Sequence, residues 1–261
     1  MLFYLGTHRP NWLALTSVPL FVSRRTMFKR RTFPRALGIW ALDSGGFSEL
    51  SQQGQWTVSA RQYVDEVRRF AREIGNLQWA AIQDHMCEPV ILSKTGKTVK
   101  EHQDLTIKSL LELRSIDPGL PWAPVIQGWN FDDYHRHIDQ YQKAGVDLDR
   151  EPIVGVGSVC RREATRFATA LMQSIAGRGI KAHGFGLKSS GLRSSAAFLC
   201  SSDSMAWSFA ARKRGKLPGC THKSCANCIR YAMRWRQDVL KAIEVGERRA
   251  IQPDLFGGFA C

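Results

Sequence analysis

Eight short apolar runs alternate with amphipathic stretches along a chain of 261 residues, and this alternation predicts an α/β fold, a TIM-like (β/α)8 barrel. The apolar runs are nearly continuous, as expected of strands covered on both faces. The stretches between them have helical spacing, which implies parallel strands joined by right-handed crossovers. The length matches the ~250 residues that one such barrel needs.

The first two strands are read at Leu2–Gly6 and Leu20–Ser23. Only a short helix fits between them, and that short link keeps an open doubly wound sheet as the alternative. The third strand, Ile39–Asp43, leads to a segment in which Ser59 and Gln62 have capping-box spacing. Val64, Val67, Phe70, Ala71 and Ile74 then share one helical face, and Gly75 suits the stop. The fourth strand, Gln78–Gln83, is followed by a helix over Asp104–Leu113, with Ile107, Leu110 and Leu111 at helical spacing. After the fifth, Ala123–Gln127, Asp132 is placed to cap a helix through Tyr134, Ile138 and Tyr141 that ends at Gly145. The sixth, Ile153–Gly157, precedes a helix over Arg162–Ala176 carrying Phe167, Leu171 and Ile175. The seventh and eighth strands are Ala182–Gly186 and Phe198–Ser202. Residues 1–208 thus make the barrel, 209–248 a small lobe with a closing helix, and 249–261 a tail.

The net charge is +14 and the pI near 9.8, a surplus that favours a polyanionic partner. The basic residues cluster. Arg24, Arg25, Lys29, Arg30, Arg31 and Arg35 form one group; Arg212, Lys213, Arg214, Lys216, Lys223, Arg230, Arg234 and Arg236 form another. No apolar run approaches the ~20 residues that span a membrane. The opening MLFYLGTHRPNW lacks the basic head and small-residue cleavage site of a secretory signal, so a cytoplasmic home is expected.

Seven cysteines, an odd number, do not suit a secreted disulfide scaffold. Three of them stand with a histidine in Cys220-Thr-His222-Lys-Ser-Cys225-Ala-Asn-Cys228. Three thiolates and one imidazole match a closed tetrahedral zinc site, which would be structural because no position is left open. Cys160 and Cys200 read as buried small apolar groups, and His85 and His183 as core or rim residues.

In a barrel of this class chemistry sits at the C-terminal strand ends. Reading those ends gives Asp43, Asp84, Gln127-Gly128-Trp129, Gly155-Val156-Gly157-Ser158, Gly184-Phe185-Gly186 and Asp203. Any one aspartate could simply cap the next helix. Three of them from different strands, flanked by small residues, point to a ligand pocket. Paired carboxylates can divide nucleophile from acid/base, and Gln127 can donate and accept along a base edge. Gly155-Val156-Gly157 lacks the third glycine of a dinucleotide fingerprint.

The order Asp-Ser-Gly-Gly-Phe, Asp84, Gln127-Gly128, Gly-Val-Gly-Ser, Asp203 and clustered cysteines resembles the tRNA-guanine transglycosylase superfamily. The runs FYLGTHRPNWL, WALDSGGFSEL, VGVGSVCRR, HGFGLK, SSDSMAWS and CTHKSCANC are more similar to its DpdA branch, which inserts 7-deazaguanines into DNA. The resemblance spans about residues 2 to 240. It implies Asp203 as nucleophile and Asp43 as general acid/base. Asp84 and Gln127 would hold the purine edge, with Gly155 and Gly157 lining the base pocket. Ser44, Phe47 and Gly128, which flank these positions, join the expected substrate-binding set.

The implied reaction is a double displacement in which guanine in DNA is exchanged for a free 7-deazaguanine such as preQ0, with zinc outside the chemistry. Two departures stand out. Ser48 follows the motif's Phe47 where the tRNA enzymes usually carry glutamine. His222 lies inside the cysteine cluster where theirs is distant. A duplex substrate has to expose its nucleotide, and a homodimer or a helper protein are the partners such opening would call on. The rival readings are the same exchange on tRNA, a non-catalytic nucleic-acid-binding barrel, and a glycosidase.

Overall fold

The computed structural model describes residues 1–159 and 166–251. Nine parallel strands form one nearly closed barrel with helices around it. They are β1 (Leu2–Thr7), β2 (Leu20–Ser23), β3 (Trp40–Asp43), β4 (Leu77–Ala81), β5 (Trp122–Ala123), β6 (Val125–Ile126), β7 (Val154–Val156), β8 (Ala182–Gly184) and β9 (Ser201–Ser204). Their order is β5-β4-β3-β2-β1-β9-β8-β7-β6.

The two strands at the ends of this order are halves of the expected fifth strand. Pro124 parts them: it has no N–H to give to a ladder. Trp122 and Ala123 pair with β4, whereas Val125 and Ile126 pair with β7. The Pro124 carbonyl still accepts the Gly155 N–H at 2.8 Å. The barrel closes through this one interrupted strand, which sets aside the open doubly wound sheet. Between β1 and β2 runs only a 3-10 turn at Pro10–Ala14, in keeping with the short link in the sequence.

Strand alternation decides which residues reach the interior. Tyr4, Phe21, Ala41, Trp79, Ala81 and Ala123 pack together inside the barrel. Their neighbours Phe3, Leu5, Leu20, Val22, Trp40, Leu42, Ala80 and Ile82 face outward into the layer under the helices. Asp43 lies two residues beyond Ala41, and Asp203 two beyond Ser201, so both carboxylates inherit an inward direction at the upper rim.

The helices are α1 (Gly46–Gln53), α2 (Ala60–Ile74), α3 (Pro89–Thr95), α4 (Val99–Ile116), α5 (Phe131–Lys143), α6 (Arg166–Gly177), α7 (Ser189–Ser195), α8 (Ala206–Arg214) and α9 (Ile229–Ile251). In α2 the Ser59–Gln62 capping box is present, and Tyr63, Val64, Val67, Phe70 and Ile74 are buried. Helix α4 begins earlier than the apolar stripe suggests, because Thr98 and Glu101 form a second capping box ahead of it. Helix α5 is capped by Asn130 and not by Asp132. Asn130 Oδ1 accepts the Asp133 N–H at 2.9 Å, and Asp133 Oδ2 accepts the Asn130 N–H at 3.0 Å in return. The expected start of α6 at Arg162 lies outside the described residues, as do Cys160 and the tail beyond residue 251.

The last strand is displaced from its expected position. Phe198 closes a 3-10 turn at Ala196–Phe198, and pairing with β1 starts at Ser201. Cys200, expected to be buried, is exposed just below that strand. It borders a cavity of about 320 Å³ on the lower face of the barrel, with Leu2, Tyr4, Trp79, Trp122 and Ser201.

Candidate active site and metal centre

A cavity of about 220 Å³ opens at the upper rim. It is lined by Asp43, Ser44, Phe47, Asp84, Gln127, Gly157 and Asp203 from the set expected on sequence grounds, together with Phe21, Ala81, Met86, Glu88, Ser158, Phe185 and Gly186. Four carboxylates therefore border one small cavity, and among the described residues its lining contains no lysine or arginine.

The turn after β3 explains the Asp-Ser-Gly-Gly-Phe motif. Asp43 Oδ1 accepts the Gly45 N–H at 3.0 Å. Gly45 holds φ 81°, a left-handed backbone that suits glycine, and a Cβ there would meet Arg25 Cγ at 2.8 Å. A Cβ on Gly46 would meet Met86 Cε at 2.6 Å and Asp84 Oδ1 at 3.2 Å, so this glycine keeps space beside the strand-four carboxylate. Ser44 is buried and donates to Asp84 Oδ1 at 3.4 Å. Phe47 stands at the cavity edge, 42% exposed.

Asp84 and Gln127 meet directly: the amide Nε2 donates to Asp84 Oδ2 at 2.6 Å. The Gln127 backbone is fixed from behind, its N–H donating to His137 Nδ1 at 2.8 Å and its carbonyl accepting from Gln103 Nε2 at 2.7 Å. Gly157 is required by the same side chain, because a Cβ there would lie 2.2 Å from Gln127 Nε2. Gly128 and Gly155 do not line the cavity. A Cβ on Gly128 would strike Asp133 and Tyr134 of α5, and one on Gly155 would strike the Phe185 ring at 2.5 Å. Gly128 serves helix packing, and Gly155 seats Phe185.

Burial dominates the electrostatics. It pushes the Asp84 carboxyl up to about 7, against the lowering effect of the Gln127 amide and with the help of Asp43. Burial also raises Asp43, opposed by the Gly45 N–H and Ser23, and Asp203 adds a like-charge push. At neutral pH the Asp84 carboxyl is poised between its two forms.

Glu88 and Ser158 also line the cavity: Ser158 stands at a strand end read from the sequence but carries no expected role there, and Glu88 lies beyond the strand ends. Glu88 precedes Pro89 at the start of α3 but makes no cap there. Its Oε2 instead lies 2.8 Å from Ser158 Oγ, which is 2.7 Å from Gln127 Oε1 and accepts the Cys87 N–H at 2.9 Å. One hydroxyl hydrogen serves either the carboxylate or the amide oxygen. Ser158 holds φ 57°, a conformation uncommon outside glycine. The readable signal is the Glu-Pro pair: a carboxylate at a helix start with the chance to turn inward.

His183, read from the sequence as a core or rim residue, has a more particular place. It is fully buried, and its Nε2 lies 3.3 Å from Asp203 Oδ1. That oxygen also accepts the Gly186 N–H at 2.9 Å.

The cysteine cluster is assembled as expected. Ligand atoms of Cys220, His222, Cys225 and Cys228 all lie within 4.8 Å of one another. The cysteines are buried and His222 is at the surface. The set fits zinc: three thiols and an imidazole at a spacing that Zn–S bonds of ~2.3 Å can draw together. The Leu217 N–H points at Cys225 Sγ at 3.2 Å, an outer donor of the kind that supports a thiolate. The lobe is fastened to the upper rim. Ser208 on α8 donates to the Ala226 carbonyl at 2.8 Å, and His8, stacked on Trp207, contacts Asn227.

A family model described as DpdA, DeoxyPurine in DNA protein A, matches residues 1–254. The chain belongs to the DpdA family. No curated protein matches it. The match runs through the barrel and the cysteine cluster together, so the DpdA assignment covers both the rim carboxylates and the cysteine-rich lobe. Among the described residues no helix is long and apolar enough to cross a membrane.

Proposed function

We propose that this DpdA chain is a DNA-guanine transglycosylase, which replaces guanine in DNA by a 7-deazaguanine through a covalent aspartyl–sugar intermediate. The observation that carries the reading is the meeting of Asp43, Asp84, Asp203 and Gln127 in one cavity of a DpdA-family barrel.

In this reading Asp203 attacks the anomeric carbon C1′ of a nucleotide turned out of the stack. The C1′–N9 bond breaks as the C1′–O bond forms, and Asp43 gives the proton that lets guanine leave neutral. The incoming 7-deazaguanine loses its N9 proton to Asp43, attacks C1′ and releases Asp203. Burial supports the acid role, since it keeps a proton on Asp43 beyond the usual carboxylate range. Asp84 and Gln127 present an acceptor-and-donor pair to the purine edge, beside the Phe21 and Phe185 rings.

Zinc in this scheme is structural, holding the lobe against α8 and the end of β1. The exposed Arg212, Lys213, Arg214, Lys216, Lys223, Arg230 and Arg234 lie on or beside that lobe and would grip backbone phosphates. The protein would work where its DNA is, in the cytoplasm.

The direct test is release of labelled guanine from a DNA oligonucleotide on addition of a 7-deazaguanine. Denaturing electrophoresis would reveal the protein–DNA adduct when no incoming base is supplied. Wild type is expected to form the adduct and Asp203→Asn to form none. Adduct formation by the variant at the wild-type rate would remove Asp203 from the role of nucleophile.

A further inference from the structure

The geometry points to His183 as a positioning residue for the nucleophile: its Nε2–H and the Gly186 N–H together hold Asp203 Oδ1, so that Oδ2 is the oxygen that attacks. This inference rests on the reading of Asp203 as nucleophile.

His183 and Asp203 come from neighbouring strands, β8 and β9, whose registered pairs are His183↔Ser201 and Gly184↔Ser202. The imidazole therefore lies across the sheet from Ser201, and its two nitrogens are both engaged. Nδ1 is 2.8 Å from Ser201 Oγ, and Nε2 is 3.3 Å from Asp203 Oδ1. A carboxylate ready to attack can only accept, so Nε2 carries the hydrogen. Nδ1 is then the acceptor, and the Ser201 hydroxyl, which can donate, completes the chain Ser201→His183→Asp203. Each group in it is satisfied by one tautomer, which the acceptor-only carboxylate selects and the serine supports by donating to Nδ1.

The surroundings hold the ring in place. Trp79 and Phe185 approach it edge-on at 4.7 and 4.9 Å between centroids, Phe21 lies at 5.5 Å and Tyr4 at 6.0 Å. His183 is 0% exposed, Ser201 3% and Asp203 6%. Four aromatic rings leave the imidazole little freedom to turn away from the carboxylate. The second donor, the Gly186 N–H, comes from the loop that follows β8, so one strand supplies both contacts to Oδ1. A carboxylate with one oxygen doubly held loses rotation about its Cβ–Cγ bond. Its other oxygen then has a fixed direction toward the cavity, which is what in-line attack on an anomeric carbon requires.

The test separates positioning from packing by atom placement. Gln at this position puts its amide nitrogen near the place of Nε2, whereas Asn puts its own near Nδ1. His183→Leu is expected to lower the rate of adduct formation about 100-fold, with DNA affinity and melting temperature close to wild type. His183→Gln is expected to recover most of that loss and His183→Asn little of it. Ser201→Ala, a smaller change that leaves the imidazole in place, is expected to slow the same step more modestly, by leaving Nδ1 without the donor that anchors the ring. An adduct rate in His183→Leu within threefold of wild type, or equal rescue by Asn and Gln, would overturn the proposal.

The tautomer itself is read by 15N NMR of the resting protein, with a protonated Nε2 and a bare Nδ1 expected. A hydrogen found on Nδ1 with Nε2 bare would also overturn it. This readout needs no turnover, so failure of the contact and failure of the exchange reading give different results.

Discussion

Asp84 is the cavity carboxyl that the fold carries into the neutral range. Burial and the neighbouring Asp43 move its carboxyl from an ordinary 3.8 to about 7. The folded protein therefore keeps a proton there that the unfolded chain releases near pH 4. Between those values the folded state binds more protons, so the Asp84 contribution to stability falls as pH rises from about 4 to 7. Asp84→Asn is expected to flatten that window and to stabilise the protein at pH 8, by on the order of 2–4 kcal/mol for a shift of this size. The same variant is expected to lose binding of the free base, because an amide cannot accept on both atoms. Melting curves at pH 5 and pH 8, with base titrations alongside, check both parts. A variant less stable than wild type at pH 8 would contradict a destabilising buried carboxyl. The identity of Asp84 as a site residue is legible in the sequence from its place at a strand end. Its raised pKa is not, since that depends on burial by the assembled barrel and on Asp43 and Glu88 arriving from other segments, against the lowering effect of Gln127.

At the scale of elements, legibility follows periodicity. Helix α2 is readable because its stripe and its capping box coincide at Ser59–Ile74. The start of α4 is not, because the Thr98–Glu101 box lies about two turns ahead of Ile107, the first apolar residue of the stripe. Strand β9 escapes the hydrophobic pattern for a functional reason. Ser201, Ser202, Asp203 and Ser204 are all buried, yet none is apolar, so a search for apolar runs sets the strand three residues early, at Phe198. Ser201 Oγ and Asp203 Oδ1 both meet the His183 ring, and Ser202 Oγ donates to the Gly184 carbonyl at 2.7 Å. Local sequence–structure conflict of this kind is what a site imposes. The cysteine-rich lobe, by contrast, is readable from spacing alone.

A prediction at the element scale follows from how that lobe is fastened. Ser208 and Trp207 of α8 connect the metal loop to the strand end that carries Asp203. Chelation is expected to lower the melting temperature and the exchange rate together, and restored zinc to recover both. Chelated protein that kept full exchange would detach the lobe from the work of the rim.

Across the whole molecule, the charge of +14 divides into two populations. Arg24, expected on sequence grounds to face a polyanion, is 4% exposed and bound to Glu66 at 2.5 Å and Glu49 at 3.6 Å. Arg25 also pairs with Glu49, at 3.3 Å. Of the basic residues around the cysteine-rich lobe, Arg212, Lys213, Arg214, Lys216, Lys223, Arg230 and Arg234 are exposed, whereas Arg236 is partly buried. Arg214, Lys216 and Arg234 line a cleft of about 250 Å³ with Tyr231 and Trp235.

The two populations should separate by experiment. Arg24→Ala is expected to destabilise by about 1–3 kcal/mol, because Glu66 loses its bidentate partner while Glu49 keeps Arg25 and Thr57, with no change in the salt dependence of DNA binding. Lys213→Ala with Arg214→Ala is expected to leave stability alone and reduce that salt slope by about 0.9 for each phosphate that is no longer neutralised. Equal salt slopes for wild type and the double variant would move the phosphate grip elsewhere.

The central claim is that this barrel exchanges bases in DNA through Asp203. It is tested most directly by nucleoside mass spectrometry of DNA and tRNA from cells that express the protein with a supply of preQ0, beside cells that express Asp203→Ala. A 7-deazaguanine deoxynucleoside present with wild type and missing with the variant is the predicted result. A modified nucleoside found only in tRNA, or one that persists in the Asp203→Ala cells, would contradict it.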